Sequence, residues 1–192
     1  MSESCENRLR IHCENKKIMD SIKNVMFVEK HYKGKQQRIV EKSVVPNLYF
    51  DFSIFLPESK VVKKDDTNFD LIDWRCSVWG CKWLPFYVYI YKYTDTDVEL
   101  TYETANSPND EWVKTLIDYV FHKYMLSKSD NFSVKFDWCI WTTDEAGAIE
   151  TVWDDRKRSV RITTCNYMEY LEDYYPEVYK KYMEESEIIK NK

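Results

Sequence analysis

The chain has 192 residues, the length of one domain or of one domain with a large insert. Its 28 Lys and Arg against 33 Asp and Glu give a formal net charge of -5, which excludes a globally basic duplex binder. Hydrophobic residues are 44% and aromatics 16%, too many for a disordered chain. The few glycines, Gly34, Gly80 and Gly147, stand too far apart for a phosphate-cradling loop.

Residues 1–10 are polar, with Glu3, Glu6, Arg8 and Arg10 among them, so no signal peptide is expected. No apolar run approaches the roughly 18 residues of a membrane span. A cytosolic location with reduced thiols follows as an expectation. Of the six cysteines, only Cys76 and Cys81 are close, and their spacing fits no zinc framework. His12 beside Cys13 is the nearest approach to a ligand pair. No metal or other cofactor is therefore expected.

Residues 7–12 alternate, Leu9 and Ile11 against Arg8, Arg10 and His12, and predict a strand. Asn15 is placed to cap a helix reaching about residue 27, with Ile18, Met19, Ile22, Val25 and Met26 as its apolar stripe. Residues 28–48 carry Lys30, Lys33, Lys35, Arg38 and Lys42 around Gly34 and read as a basic loop or hairpin. Residues 49–56 place Phe50, Phe52, Ile54 and Leu56 on one face and predict a strand ended by Pro57. A short helix capped within 65–67 runs through Leu71, Ile72 and Arg75. In Trp79-Gly80-Cys81-Lys82-Trp83, Gly80 is expected to take a left-handed backbone at a helix end. The two indoles then pack over the sheet, with Lys82 across one of them.

Residues 86–93 predict a strand with Val88 and Ile90 inward and Tyr87, Tyr89, Tyr91 and Tyr93 on the opposite face. A tight turn at 94–97 leads to a hairpin partner with Val98, Leu100 and Tyr102 inward. Ser107 is expected to cap a second helix with Pro108 at its first position. Trp112, Leu116, Tyr119 and Val120 follow its turns to about residue 124. Residues 132–141 form a strand with Val134, Phe136, Trp138 and Ile140 inward. Residues 146–153 and 160–164 read as strands joined by the basic loop Arg156-Lys157-Arg158. Residues 166–189 are helical and broken at Pro176, with Tyr170, Leu171, Tyr174, Val178, Tyr179 and Tyr182 as a stripe in an acidic face.

Charge is split along the chain. Residues 1–64 hold 13 basic and 8 acidic residues, and residues 65–192 hold 15 and 25, which favours partner binding or self-association. The core order is strand, helix, insert, strand, strand, helix, strand. This predicts an α+β class, a ferredoxin-like βαββαβ antiparallel sheet with two helices on one face. Residues 1–164 form that domain, with the insert at about 28–78. Residues 165–192 form a C-terminal helical extension packed on it.

The strand at Cys5-Glu6-Asn7, the segment ending Phe55-Leu56-Pro57, the Trp79-Gly80-Cys81-Lys82-Trp83 stretch and Thr104-Ala105-Asn106-Ser107-Pro108 before a helix together resemble the YubB-type ferredoxin-like domain family. These proteins occur in phages, prophages and plasmids. The likeness covers roughly residues 4–153, and the Trp-Gly-x-Lys-Trp stretch is its most specific element. Cys81 stands where the family usually has Thr. The resemblance implies a ferredoxin-like fold and a mobile-element origin, and it implies no catalytic residues.

The residues select no catalytic centre. Glu99 and Glu103 on one strand face lie about 13 Å apart by strand rise, too far for one acid/base site. Glu103 and Asp137 are the remaining pair if their strands are adjacent. The tyrosine face is more informative. It is expected to hold Tyr87, Tyr89 and Tyr91 with Arg10 and Trp141. Tyr174, Tyr179, Arg156 and Arg158 are expected to form a second binding surface near the C-terminus. The insert or the C-terminal helices could cover the tyrosine face, a protein could occupy it, or nucleobases could stack on it. With the mobile-element origin that the resemblance implies, the leading expectation is a non-enzymatic phage accessory protein that binds a host protein in the host cytoplasm. Its concrete version, inhibition of a host antiviral defence system, rests on the genomic setting of the family it resembles. A small nucleic-acid or nucleotide binder using the sheet face is the alternative. A second copy of the chain is a further candidate partner, and a membrane is not one.

Overall fold

The computed structural model describes residues 3–29, 44–45, 48–58, 68–124, 126, 130–140, 142–153 and 158–166, and positions 172, 176, 177, 180 and 183. Among these residues it is a mixed α+β structure with one six-stranded antiparallel sheet and three α-helices of more than one turn. The strands are β1 (Ser4–His12), β4 (Phe86–Tyr93), β5 (Asp97–Ala105), β6 (Ser133–Ile140), β7 (Glu145–Trp153) and β8 (Arg158–Asn166). They are ordered β4-β5-β1-β6-β7-β8. The helices are α1 (Lys16–Met26), α2 (Asn68–Trp79) and α3 (Asp110–Tyr124). The short strands β2 (Phe27–Val28) and β3 (Tyr49–Phe50) pair separately.

β1 is the central strand. Its alternation buries Leu9 and Ile11 and turns Arg8, Arg10 and His12 to the other face. Asn15 caps α1 by accepting the Lys17 N–H at 3.2 Å, and Ile18, Met19, Ile22 and Met26 are buried beneath it. α3 contributes Trp112, Val113, Leu116, Ile117 and Val120 to the same inner layer. β7 and β8 continue the sheet past β6.

Residues 49–56 do not form one long strand. After Phe50 the chain turns into a 3-10 segment, Phe52–Ile54, because Asp51 accepts from the Ser53 N–H at 2.8 Å and holds a tight turn. This bend drives Phe50 and Phe52 into the inner layer. Phe50 packs edge-on against Tyr102 at 4.9 Å and Trp112 at 5.4 Å between centroids. The described part of the insert therefore belongs to the helix side of the sheet. α3 begins two residues later than expected: Asn109, not Ser107, accepts the first helical N–H, from Val113 at 3.2 Å. Asn166 closes β8 rather than opening a helix. Beyond it, Glu172, Pro176, Glu177, Lys180 and Met183 have helical backbone and are exposed. The basic segment at Lys30 to Lys42 and the caps at 65–67 lie outside the described residues.

Gly80 takes φ +84, a region that side chains disfavour. A Cβ there would sit 2.8 Å from the Pro108 carbonyl and 2.8 Å from an Asp110 carboxyl oxygen. Ser107 Oγ donates to the Gly80 carbonyl at 2.7 Å, so this serine ties α2 to the start of α3. Thr104 Oγ donates to the Ser107 carbonyl at 2.7 Å, and the buried Asn7 Nδ2 donates to Thr104 at 2.9 Å. Trp79 Nε1 donates to the Leu56 carbonyl at 2.9 Å. Four segments distant in sequence meet at this joint. Trp79 is fully buried, but Trp83 is 44% exposed, so only one indole belongs to the core. The Arg75 guanidinium lies between the two rings, 5.5 Å from Trp79 and 5.3 Å from Trp83, and Lys82 lies 5.5 Å from Trp83.

Gly80→Ala is expected to destabilise the fold by about 1–3 kcal/mol, from backbone strain and the two close carbonyl and carboxyl contacts. Trp79→Ala should cost about 3–5 kcal/mol, and Trp83→Ala should cost clearly less than Trp79→Ala. Urea unfolding of the three variants tests this ordering.

Candidate binding surface

The sheet face away from the helices is built by the outward residues of each strand. One register row crosses all six strands as Lys92, Glu99, Arg10, Lys135, Glu150 and Arg161. Lys92 reaches Glu99 at 3.7 Å and Asp97 at 3.2 Å. Lys135 reaches Glu150 at 3.2 Å. Arg10 and Lys135 are like charges in register, and Arg10 resolves the conflict by pairing diagonally with Asp137. The next row runs Tyr89, Thr101, Arg8, Asp137, Ala148 and Thr163. Arg8 Nε donates to the Tyr91 hydroxyl at 2.8 Å. Tyr89 and Tyr91 pack with ring centroids 5.8 Å apart. His12 Nδ1 lies 3.0 Å from Asp97, and its Nε2 lies 3.3 Å from Asn131.

The tyrosine row of β4 is interrupted. The register with β5 shifts between Phe86 and Tyr89 and again between Ile90 and Lys92, and each shift rotates the following side chains. Tyr93 is consequently on the helix face, correcting its expected place. It packs edge-on against Phe27 at 5.6 Å, with the Lys23 ammonium 4.3 Å from its centroid. Tyr87 has φ 50 at the first irregularity and is 44% exposed. Tyr89 and Tyr91 keep their expected outward positions, half-buried.

The outer face is uneven. Asp137, Cys139, Ala146 and Ala148 are buried, whereas Arg8, Arg10, Tyr89 and Tyr91 are partly accessible. Lys135 and Glu150 are partly accessible too and Arg161 is exposed, so the accessible part comprises the tyrosines and the charge row, and the buried part lies on β6 and β7 at Asp137, Cys139, Ala146 and Ala148. β1 runs between β5 and β6, so Glu103 and Asp137 are not on adjacent strands, and Arg10 holds Asp137. His12 and Cys13 point to opposite faces, Cys13 being fully buried. Among the described residues no group of three His, Cys, Asp or Glu is arranged to hold a metal, and no helix is long and apolar enough to cross a membrane.

Of the residues expected to bind, the structure brings Arg10, Tyr89 and Tyr91 onto one surface, with Tyr87 at its rim. Arg158 begins β8, on the far edge of the sheet from β4. Trp141, Arg156, Tyr174 and Tyr179 lie outside the described residues. Sequence reading missed the cross-sheet charge row. Its signal is a charged residue at the outward position of each strand, but it becomes legible only once register is known. The chain matches no protein-family model, no curated protein and no solved structure.

Burial opposes ionisation of Asp97, but hydrogen bonds from Thr96, His12 and Lys92 outweigh it and hold this carboxyl well below its ordinary value. A carboxyl with a depressed folded-state pKa stabilises the fold above its ordinary value near 3.8 and loses that contribution as pH falls below it. Acid titration of stability should therefore be steeper below about pH 4 in the parent than in Asp97→Asn.

Burial pushes the Cys5, Cys13, Cys81 and Cys139 thiols up, Cys139 to about 12, while Cys76 is exposed. At pH 8 a thiol reagent should label Cys76 fast and these four buried cysteines slowly. Unfolding without reductant should expose all six free thiols.

Proposed function

We propose that this chain is a non-enzymatic binding module of ferredoxin-like topology whose accessible outer sheet face contacts a protein. The order β4-β5-β1-β6, with α1 and α3 as crossovers, supports that reading: a split βαβ core carrying an insert after α1 and a hairpin extension after β6 would have this strand order. The carrying observation for function is the pairing of charge on the outer face. Arg10 is held by Asp137, Lys135 by Glu150, Lys92 by Asp97 and Glu99, and Arg8 stacks on and donates to Tyr91. Such cations are committed within the sheet, and phosphate would have to displace carboxylates to reach them. Paired charges beside half-buried tyrosines suit a polar protein interface, where tyrosine supplies contact area at low entropic cost.

The partner is a host protein, and the module acts in the host cytoplasm as a phage accessory factor that inhibits an antiviral defence. This part of the proposal is supported by the resemblance to the YubB-type family. The meeting of all four resembling segments at the Gly80 joint gives those residues a common structural role.

Capture from a bacterial host lysate by the parent and by Tyr87→Ala/Tyr89→Ala tests the proposal. The variant should keep its melting temperature within a few degrees and weaken capture at least ten-fold, as expected when aromatic contact area is removed from an interface. Binding of nucleic acid that falls steeply with salt would overturn the protein-partner reading. Undiminished capture by the variant would remove the tyrosine face from it.

A further inference from the structure

We infer that the outer edge of β8 receives an extended segment of a partner protein as an added strand, with a carboxylate opposite Arg161 and an apolar side chain opposite Ile162. The inference rests on the reading of the chain as a binding module but uses a surface other than the tyrosines.

The two edges of the sheet differ. β4 breaks register twice, and its Ile90 carbonyl accepts the Val44 N–H at 2.9 Å. Such irregularity and cover blunt an edge against further pairing. β8 pairs with β7 residue for residue from Arg158 to Asn166 without a shift. It contains neither Gly nor Pro, and Val160, Ile162, Thr163 and Thr164 are β-branched. Among the described residues no strand pairs with its other side. Ile162, at its midpoint, is 56% exposed. A regular edge with these features is a template for strand addition.

Charge selects the occupant. The row across the sheet ends Lys135, Glu150, Arg161. The Glu150 carboxylate is already engaged by Lys135 at 3.2 Å, so an added strand continues the alternation by placing an acid opposite Arg161. A second copy of the chain does not supply one. β8 contains no Asp or Glu, and antiparallel self-pairing about Ile162 sets Arg161 opposite Thr163, with the two arginines on a diagonal. Ladder hydrogen bonding requires a polypeptide, and the charge row makes an acidic, alternating segment of another protein the occupant to which the inference commits.

The probe is a fluorescein-labelled peptide, Gly-Ser-Thr-Val-Thr-Val-Glu-Val-Thr-Gly-Ser, read by anisotropy against the full chain. It should bind about five-fold more tightly than the same peptide with Lys in place of Glu, the size expected when an attractive cross-strand pair replaces a repulsive one. Arg161→Glu should invert that preference, and N-methylation of alternate peptide amides should abolish binding. No binding of the Glu peptide up to about 1 mM, equal binding of both peptides, or no inversion in Arg161→Glu overturns the inference. So does a dimer in sedimentation that Ile162→Lys dissociates while the peptide stays unbound, since the edge then belongs to a second copy. Tyr87→Ala/Tyr89→Ala should leave peptide binding intact, so a failed edge and a failed tyrosine surface are read separately.

Discussion

The hydrogen-bonded joint at Gly80 is the constraint on which the architecture turns. Asn7 of β1, Thr104 at the end of β5, Ser107 before α3 and Gly80 after α2 are joined in one run of buried or part-buried bonds. Each acceptor in that run would carry a desolvation penalty if its donor were removed. The left-handed Gly80 lets the chain leave α2 against the Pro108 carbonyl, which no other residue could do without moving it. Trp79 fixes the other side through its bond to Leu56. The insert is thereby held on the helix side of the sheet. Its Phe50 and Phe52 complete an aromatic cluster with Tyr102 and Trp112.

That placement decides which face of the sheet is available. With the insert's described residues packed beside α1 and α3, the described residues of the outer surface are strand side chains. Those side chains are charged at most outward positions, so they must satisfy one another. The buried Asp137 depends on the partly exposed Arg10, and removing Arg10 leaves a buried carboxylate without its counter-charge, which is the costly half of the pair to lose. A pair of this kind also discriminates against register slips, because a shift of one residue would carry Arg10 to the inner face.

The bulges of β4 have two consequences from one cause. They divide a tyrosine row that strict alternation would have kept together, sending Tyr93 inward and leaving Tyr89 and Tyr91 outside. They also make β4 an irregular edge, while β8 stays regular. The sheet is thus asymmetric, with aromatic area near one edge and an uninterrupted ladder at the other.

Local pattern determined much of this. Period-two alternation in β1, β5 and β6 and the apolar stripe of α1 gave the core residues directly, since a strand or helix that buries one face must repeat its apolar positions at a fixed interval. The left-handed Gly80 was also legible, from a lone glycine at the end of a helical pattern between two tryptophans. What tertiary structure decided was everything that depends on a neighbour in space. Asp51 bent a segment that alternated as a strand, and Asn109 displaced Ser107 as the first acceptor of α3. The bulges turned Tyr93, and β1 came between the strands of Glu103 and Asp137. The charge row was invisible for the same reason: each strand contributes one residue to it, and only the register of six strands places those residues side by side.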